Sequence, residues 1–109
     1  MVTAEIAATM PVVLAVLTIA LSAVGAVTDQ LRCVDAARTG ARLLARGEEV
    51  GRVESEVGRQ APQGADIDLR VGPSEVEAEV TADVPALLGL LGVRRSPHAT
   101  ATALREAVP

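Results

Sequence analysis

Glu5 is followed by the uncharged stretch IAATMPVVLAVLTIALSAVGAVT, residues 6–28, and the next charged side chain is Asp29. At about 1.5 Å per residue, a helix of this length reaches across the ~30 Å hydrocarbon core of a bilayer. The stretch exceeds the roughly 7 to 15 apolar residues of a signal peptide, and no basic side chain stands before it in this sequence. We therefore predict a membrane-spanning helix that stays in the protein.

The predicted helix continues past this span, so that residues 1–47 form one long element: a hydrophobic part, 1–28, and an amphipathic part, 29–47. Pro11 removes one backbone hydrogen bond inside the span and predicts a kink or hinge there. Gly47 is a typical helix stop. In the amphipathic part, apolar residues recur at spacings of three and four and predict a buried stripe of Leu31, Val34, Ala37, Ala41 and Leu44.

Residues 48–109 predict a small α+β head packed on the C-terminal half of the long helix. A short helix is expected over residues 48–60, with a stripe of Val50, Val53 and Val57. Strict alternation then predicts a hairpin whose strands are joined by residues 72–75. Its register pairs the apolar residues on one face, with Val71 opposite Val76, Leu69 opposite Ala78 and Ile67 opposite Val80.

Two weaker patterns complete the predicted head. The connector DVPALLGLLGV, residues 83–93, favours one short helical turn after Pro85. From His98 to about Glu106, alanines alternate with more polar residues, which predicts a third antiparallel strand. The expected fold class is therefore α+β: a long N-terminal helix with a head of one short helix and a three-stranded antiparallel sheet.

Composition excludes several functional classes. The chain is mildly acidic, with a formal net charge of −4, and it has no Phe, Tyr or Trp. It therefore lacks both the basic patch and the stacking side chains of nucleic-acid binders, and we expect no nucleic-acid partner. One cysteine, Cys33, permits no internal disulfide and no cysteine cage for a metal. A core without aromatic side chains predicts a head of marginal stability.

The sequence offers no catalytic residues, cofactor motif or small-molecule substrate site. It contains no glycine-rich phosphate loop and no paired acids in an apolar setting, so we expect a protein that is not an enzyme. Several acids of the predicted hairpin could hold Ca²⁺, but alternation along a solvated strand explains them, and we expect no metal: Asp66, Asp68, Glu75, Glu77 and Glu79. His98 is the only histidine and has no partner with which to share a metal.

Glu5 is the most informative single residue, because it places a carboxylate directly before an apolar span. Desolvation of a carboxylate costs several kcal/mol unless a partner compensates. One interpretation is an interfacial acid in contact with water or with the positive end of the helix dipole. The other is an acid that must find a cationic partner inside an assembly.

The opening MVTAEIAATMPVVLAVLTIALSAVGAV resembles the mature N-terminus of a type IV pilin, with an acid at the fifth position and an unbroken apolar helix after it. More narrowly, VTAE, Pro11 and the later QLRCVDAARTGARLLARG resemble the TadE-like minor pilins of the tight-adherence (Tad) pilus systems of high-GC bacteria. The resemblance is strong over the first 47 residues. Beyond them it extends only to the pattern of hairpin, apolar connector and terminal strand.

The resemblance implies a history for the chain. A basic leader would be cleaved by prepilin peptidase, leaving Met1 as the first mature residue. The subunit would wait in the cell membrane as a single-pass protein with its head outside, and the inner-membrane pilus assembly machinery would add it to an extracellular filament of self or sister pilins. Glu5 would then pair with the N-terminal amine of a neighbour, which fixes axial register more than it adds stability.

Charge around the span conflicts with this orientation. Four arginines follow the span and no basic side chain precedes it: Arg32, Arg38, Arg42 and Arg46. By the positive-inside rule these would hold the C-terminal part in the cytoplasm, whereas a pilin head lies outside. The resemblance therefore requires a basic leader before Met1.

Small and apolar residues mark possible subunit interfaces. Ala4 with Ala8, and Ser22 with Ala26, stand four apart and permit close helix contact, although such pairs arise readily in an alanine-rich helix. Four leucines of the connector could contact a neighbour or could cap the small core: Leu87, Leu88, Leu90 and Leu91. Cys33 is expected to be a small buried hydrophobe, with an intermolecular disulfide as the alternative.

The predicted function is structural assembly, and two alternatives share the same features. In the first, the span remains permanently in the membrane and the head is a small binding or regulatory module of an envelope complex. In the second, the chain is a pseudopilin that never forms long fibres. The residues encoded just before Met1 distinguish the first alternative from the pilin, because a pilin needs a basic leader that ends in Gly.

Overall fold

The computed structural model describes residues 2–106, and from residue 3 onward it also describes the burial of the side chains. In chain order the elements are α1 (Val2–Ala45), α2 (Val50–Gln60), β1 (Asp66–Val71), β2 (Glu75–Thr81), α3 (Ala86–Leu90) and β3 (His98–Leu104). The strands form one antiparallel sheet in the order β1-β2-β3. The α+β class is confirmed, as are the three-stranded sheet and the short helical turn after Pro85.

A single helix, α1, gives the molecule its elongated shape of 80 × 21 × 18 Å. It is unbroken through Pro11, which lies inside it. The helix ends just before Gly47, as the sequence predicts. The amide of Gly47 donates to the carbonyl of Leu44 over 3.0 Å, and the amide of Glu48 donates to the carbonyl of Leu43 over 3.2 Å. This pair of bonds requires a left-handed residue, and Gly47 has φ +85°.

The hairpin adopts the predicted register. Val71 pairs with Val76, Leu69 with Ala78 and Ile67 with Val80. On β2 the apolar residues Val76, Ala78 and Val80 are completely or almost completely buried. On the other face Arg70 binds both Asp68, at 2.9 Å, and Glu77, at 3.7 Å. This arginine therefore relieves the repulsion expected between Asp68 and Glu79, which are directly opposed.

The core lies between α1, α2 and the sheet, and small residues dominate it on the α1 side. Two residues predicted to be buried are not: Leu31 is 60% exposed and Val50 is 44% exposed. Val34 is half-buried. Ala37, Ala41 and Leu44 of the predicted stripe are buried as expected. The buried face of α1 also includes Cys33, Ala36, Gly40 and Ala45, so it is shifted away from Leu31.

Gly40 explains why this face is chosen. A Cβ at position 40 would lie 2.9 Å from Cγ2 of Val57 and 3.0 Å from Cβ of Ala78. The absence of a side chain at Gly40 lets α2 and β2 approach α1 closely at this point, and close approach gives the dispersion contacts that a core without aromatic rings needs. Leu31 is nine residues before Gly40, which places it on the opposite side of the helix, where it is exposed.

Candidate assembly and membrane surface

The N-terminal half of α1 is not covered by the part of the head that the structure describes. The helix is long and apolar enough to cross a membrane, and none of its most apolar window is buried within the described chain. Ile6, Val12, Leu14, Leu21 and Val24 are each more than half exposed. So large an apolar surface requires lipid or other protein chains around it.

Hydroxyl groups within the span are satisfied by the helix itself. Each hydroxyl donates to the backbone carbonyl four residues earlier, over 2.7 to 3.0 Å. The residues are Thr9, Thr18, Ser22 and Thr28. A hydroxyl paired in this way can enter hydrocarbon without a large desolvation cost. Residues 6–28 therefore present no unsatisfied side-chain hydroxyl to their surroundings.

Glu5 lies in the first turn of α1 and its side chain is exposed. Ala4 and Ala8 are exposed in the same part of the helix. Pro11 follows Glu5 by somewhat more than one and a half helical turns, about 1.7, and cannot donate to the carbonyl of Ala7. Met1 lies outside the described residues, so its pairing with Glu5 and its role in processing stay predictions.

The leucine cluster is divided between two environments. Leu88 on α3 is 8% exposed and belongs to the core, and Leu87 is half-buried. Leu90 and Leu91 are 84% and 55% exposed. Leu88 therefore caps the core, as one interpretation predicted, while contact of Leu90 and Leu91 with a neighbour stays a prediction.

Where the head meets the span, Gln30 makes two hydrogen bonds to one residue of β3. Its Nε2 donates to the carbonyl of His98 over 2.7 Å, and its Oε1 accepts from the His98 amide over 2.8 Å. Gln30 thus pairs with the edge strand as another strand would. Sequence reasoning missed this residue, whose signal was one neutral amide on the helix directly after the span.

Cys33 lies one turn further along α1 and is fully buried. Burial raises the pKa of its thiol, the nearby carboxylate of Asp29 raises it further, and the backbone at Ala82 opposes the shift. The thiol therefore stays neutral near pH 7 and behaves as the small hydrophobe that was predicted. The head must open before a disulfide with another chain can form.

A metal site needs several hairpin acids or other polar side chains to converge on one ion. Within residues 2–106, no group of three His, Cys, Asp or Glu side chains could hold a metal ion. The hairpin acids named above lie along the sheet, and Asp68 is engaged by Arg70. Hydrogen bonding to Asp68, together with the charges of Asp68 and Glu77, raises the pKa of Arg70, which remains cationic.

Comparisons with known proteins identify a relative in Mycobacterium tuberculosis. Over 68 residues the chain is 44% identical to the protein named apoptosis inhibitor Rv3655c, a match that covers 62% of this chain and 53% of that protein. The chain thus spans about half the length of the curated relative it matches. No protein-family model matches the chain, and no solved structure matches it.

Proposed function

We propose that this chain is a type IV pilin-like, TadE-like subunit that assembles through α1 into an extracellular Tad pilus filament or its tip complex. The observation that carries the proposal is an acid in the first turn of a helix whose most apolar window is not buried by any described part of the chain. A buried carboxylate needs a compensating cation, and the N-terminal amine of a second subunit supplies one. The function is assembly and not catalysis.

Two environments are needed for α1 in this proposal. Before assembly the span lies in the cell membrane, as a single pass with the head outside, after prepilin peptidase has removed a leader. The assembly machinery of the inner membrane then transfers the subunit to a filament, where the spans of self or sister pilins replace lipid. Both environments are apolar, so transfer keeps the exposed Val, Leu and Ile side chains out of water.

Pairing of Glu5 would set the axial position of each subunit. Helices with smooth apolar surfaces can slide past one another at little cost, because many registers bury similar areas. A carboxylate and an ammonium allow only the registers in which they meet, since any other leaves both desolvated and unpaired. Ala4 and Ala8 are small enough to let a neighbouring helix come close beside this pair.

Replacement of Glu5 tests the proposal. Glu5→Ala and Glu5→Lys are expected to insert into the membrane normally but to be absent from sheared filaments, as measured by immunoblot of the membrane and filament fractions. Glu75→Ala, which removes an exposed acid from the head, is the matched control and is expected to assemble. Normal incorporation of Glu5→Ala would refute the register role.

A second candidate is a permanently anchored subunit whose head is a binding or regulatory module of an envelope complex. The exposed apolar part of α1 fits this candidate too, because a permanent anchor also leaves that surface to lipid. This candidate needs no partner for Glu5. It therefore predicts that the Glu5→Ala variant still binds its envelope complex and that the chain never leaves the membrane fraction.

A further inference from the structure

The connector between β2 and β3 lies at the end of the head that faces the span. β3 runs alongside α1 from Gln30, which binds His98, to Ala45, whose carbonyl accepts from the Glu106 amide over 2.9 Å. Because β2 is antiparallel to β3, Thr81 pairs with His98 at the span end. Residues 82–97 are therefore held at that end, and the Ala82 amide closes the loop by donating to Pro97.

This connector reaches the level of the last turns of the span. A groove there is lined on one side by Ala26 and Val27 of α1, and on the other by residues 95–98. Thr28 ends the uncharged stretch, so Ala26 and Val27 lie close to the boundary between hydrocarbon and headgroups when the span crosses a bilayer. Interfacial segments are found at this depth, with their apolar sides ~5–10 Å below the headgroup surface.

The connector presents an apolar edge followed by two cations. Leu90, Leu91 and Val93 are 84%, 55% and 41% exposed, although Leu88 in the same helix is buried. Arg94 and Arg95 follow directly and are exposed. Leucines beside arginines suit a surface whose acyl chains lie just below anionic phosphates.

We propose that the connector docks on the outer surface of the bilayer, with Leu90 and Leu91 among the upper acyl chains and Arg94 and Arg95 at the phosphates of anionic phospholipids. The proposal rests on membrane insertion of α1, which is one part of the proposed function, and not on polymerisation. Lipid is the occupant because the end of the same connector, residues 95–98, lies beside Ala26 and Val27 in the last turns of the span. A protein partner in the membrane could reach it only by displacing headgroups.

The charged side chains at this end of the head determine how strongly docking depends on the charge of the lipid headgroups. Arg32 on α1 is exposed near the same level and adds a third cation. Asp29 and Asp83 are nearby in sequence and oppose these cations in part. The leucines therefore contribute binding to the acyl chains of any phospholipid. The arginines add binding that occurs only with anionic headgroups.

A single introduced tryptophan tests the docking, because the chain contains no tryptophan of its own. Full-length Leu90→Trp would be reconstituted in vesicles of phosphatidylcholine alone or mixed with phosphatidylglycerol, with and without bromination of the upper acyl carbons. Leu104→Trp is the matched control, since Leu104 is 74% exposed but lies at the opposite end of β3. Protection of Cys33 from maleimide shows that each variant has folded.

Docking predicts that the Leu90→Trp variant has blue-shifted emission that brominated lipid quenches, while the Leu104→Trp variant keeps the emission of water-exposed tryptophan. Neutralisation of Arg94 and Arg95 to Gln is expected to lower the docked-to-free ratio about fivefold per arginine in anionic vesicles, and little in neutral ones. Unquenched emission from the Leu90→Trp variant would overturn the proposal. So would a blue shift that grows with protein concentration, which identifies a second copy as the occupant. These measurements need no filament, so they remain valid even if Glu5→Ala is incorporated into filaments normally.

Discussion

Gly40 of α1 lies so close to Val57 of α2 that a methyl group added at Gly40 would meet Cγ2 of Val57 at 2.9 Å. The same methyl would meet Cβ of Ala78 at 3.0 Å, and this atom moves only with the backbone of β2. The two residues thus mark where the long helix, the short helix and the sheet come together. The stability of the head should depend on the absence of a side chain at this point.

Gly40→Ala is expected to destabilise the head, despite alanine's higher helix propensity. Overpacking costs about 1–3 kcal/mol and the propensity gain is about 0.8–1.0 kcal/mol. We expect a net loss of about 1 kcal/mol, measured as faster maleimide labelling of Cys33 in the full chain in detergent. Gly25→Ala is the control on the same helix, since nothing lies within 4 Å of its added Cβ. Equal labelling of the two variants would contradict the close contact.

Val80→Asp is expected to unfold the head. Val80 is fully buried on the apolar face of the hairpin, and an unpaired carboxylate there costs several kcal/mol. Rapid proteolysis of residues beyond Gly47, with the span still protected by the membrane, would show this. Val71→Asp is the comparison, because Val71 is 46% exposed on the adjacent strand and should tolerate the charge. Protease resistance of Val80→Asp at the level of the natural protein would argue against the register.

Gln30→Ala is expected to free the beginning of β3 from α1. It removes two hydrogen bonds to a residue that water can reach, so the expected loss is about 1–2 kcal/mol. Hydrogen exchange at the His98 amide should become faster, while exchange within β1 changes little. Gln63→Ala, at an exposed position of the turn before β1, serves as the control. Unchanged exchange at His98 would show that Gln30 does not hold the strand.

Cys33 is expected to make the head less stable in alkali. Its pKa is raised in the folded chain, so the folded state retains the thiol proton more tightly than the unfolded state does. Stability is then full below the ordinary thiol pKa of 9.0 and falls as pH rises through the higher folded value. Cys33→Ala should lack this fall when unfolding is followed against pH. The comparison is clean because the chain has no Lys or Tyr side chain that titrates in the same range.

The hairpin and the long helix show what the sequence could predict and what it could not. Alternation of period two determined the hairpin register, since only one pairing places Ile67, Leu69 and Val71 opposite the apolar residues of β2. The buried face of α1 was misassigned around Leu31 because an alanine-rich helix is apolar on several sides. Packing distance selected among them, and that distance depends on how closely Gly40 admits its neighbours.

The connector was predicted only in part for a similar reason. Pro85 and the leucines after it predict a helical turn, which α3 confirms. Which leucine turns inward depends on how this short helix packs against α1, and four leucines within five positions carry no periodicity that decides it. Gln30 was missed because the pairing of its amide with His98 joins residues 68 positions apart.

The sheet is completed by β3, the strand that the ribosome makes after every other element described here. Until residues 98–104 emerge, β2 has an unpaired edge and the alanine face of α1 lacks the strand that lies along it. The span can enter the bilayer long before then. We therefore expect insertion to precede closure of the head, so that a nascent chain spends an interval anchored but unfinished, when chaperones and proteases have their best access to it.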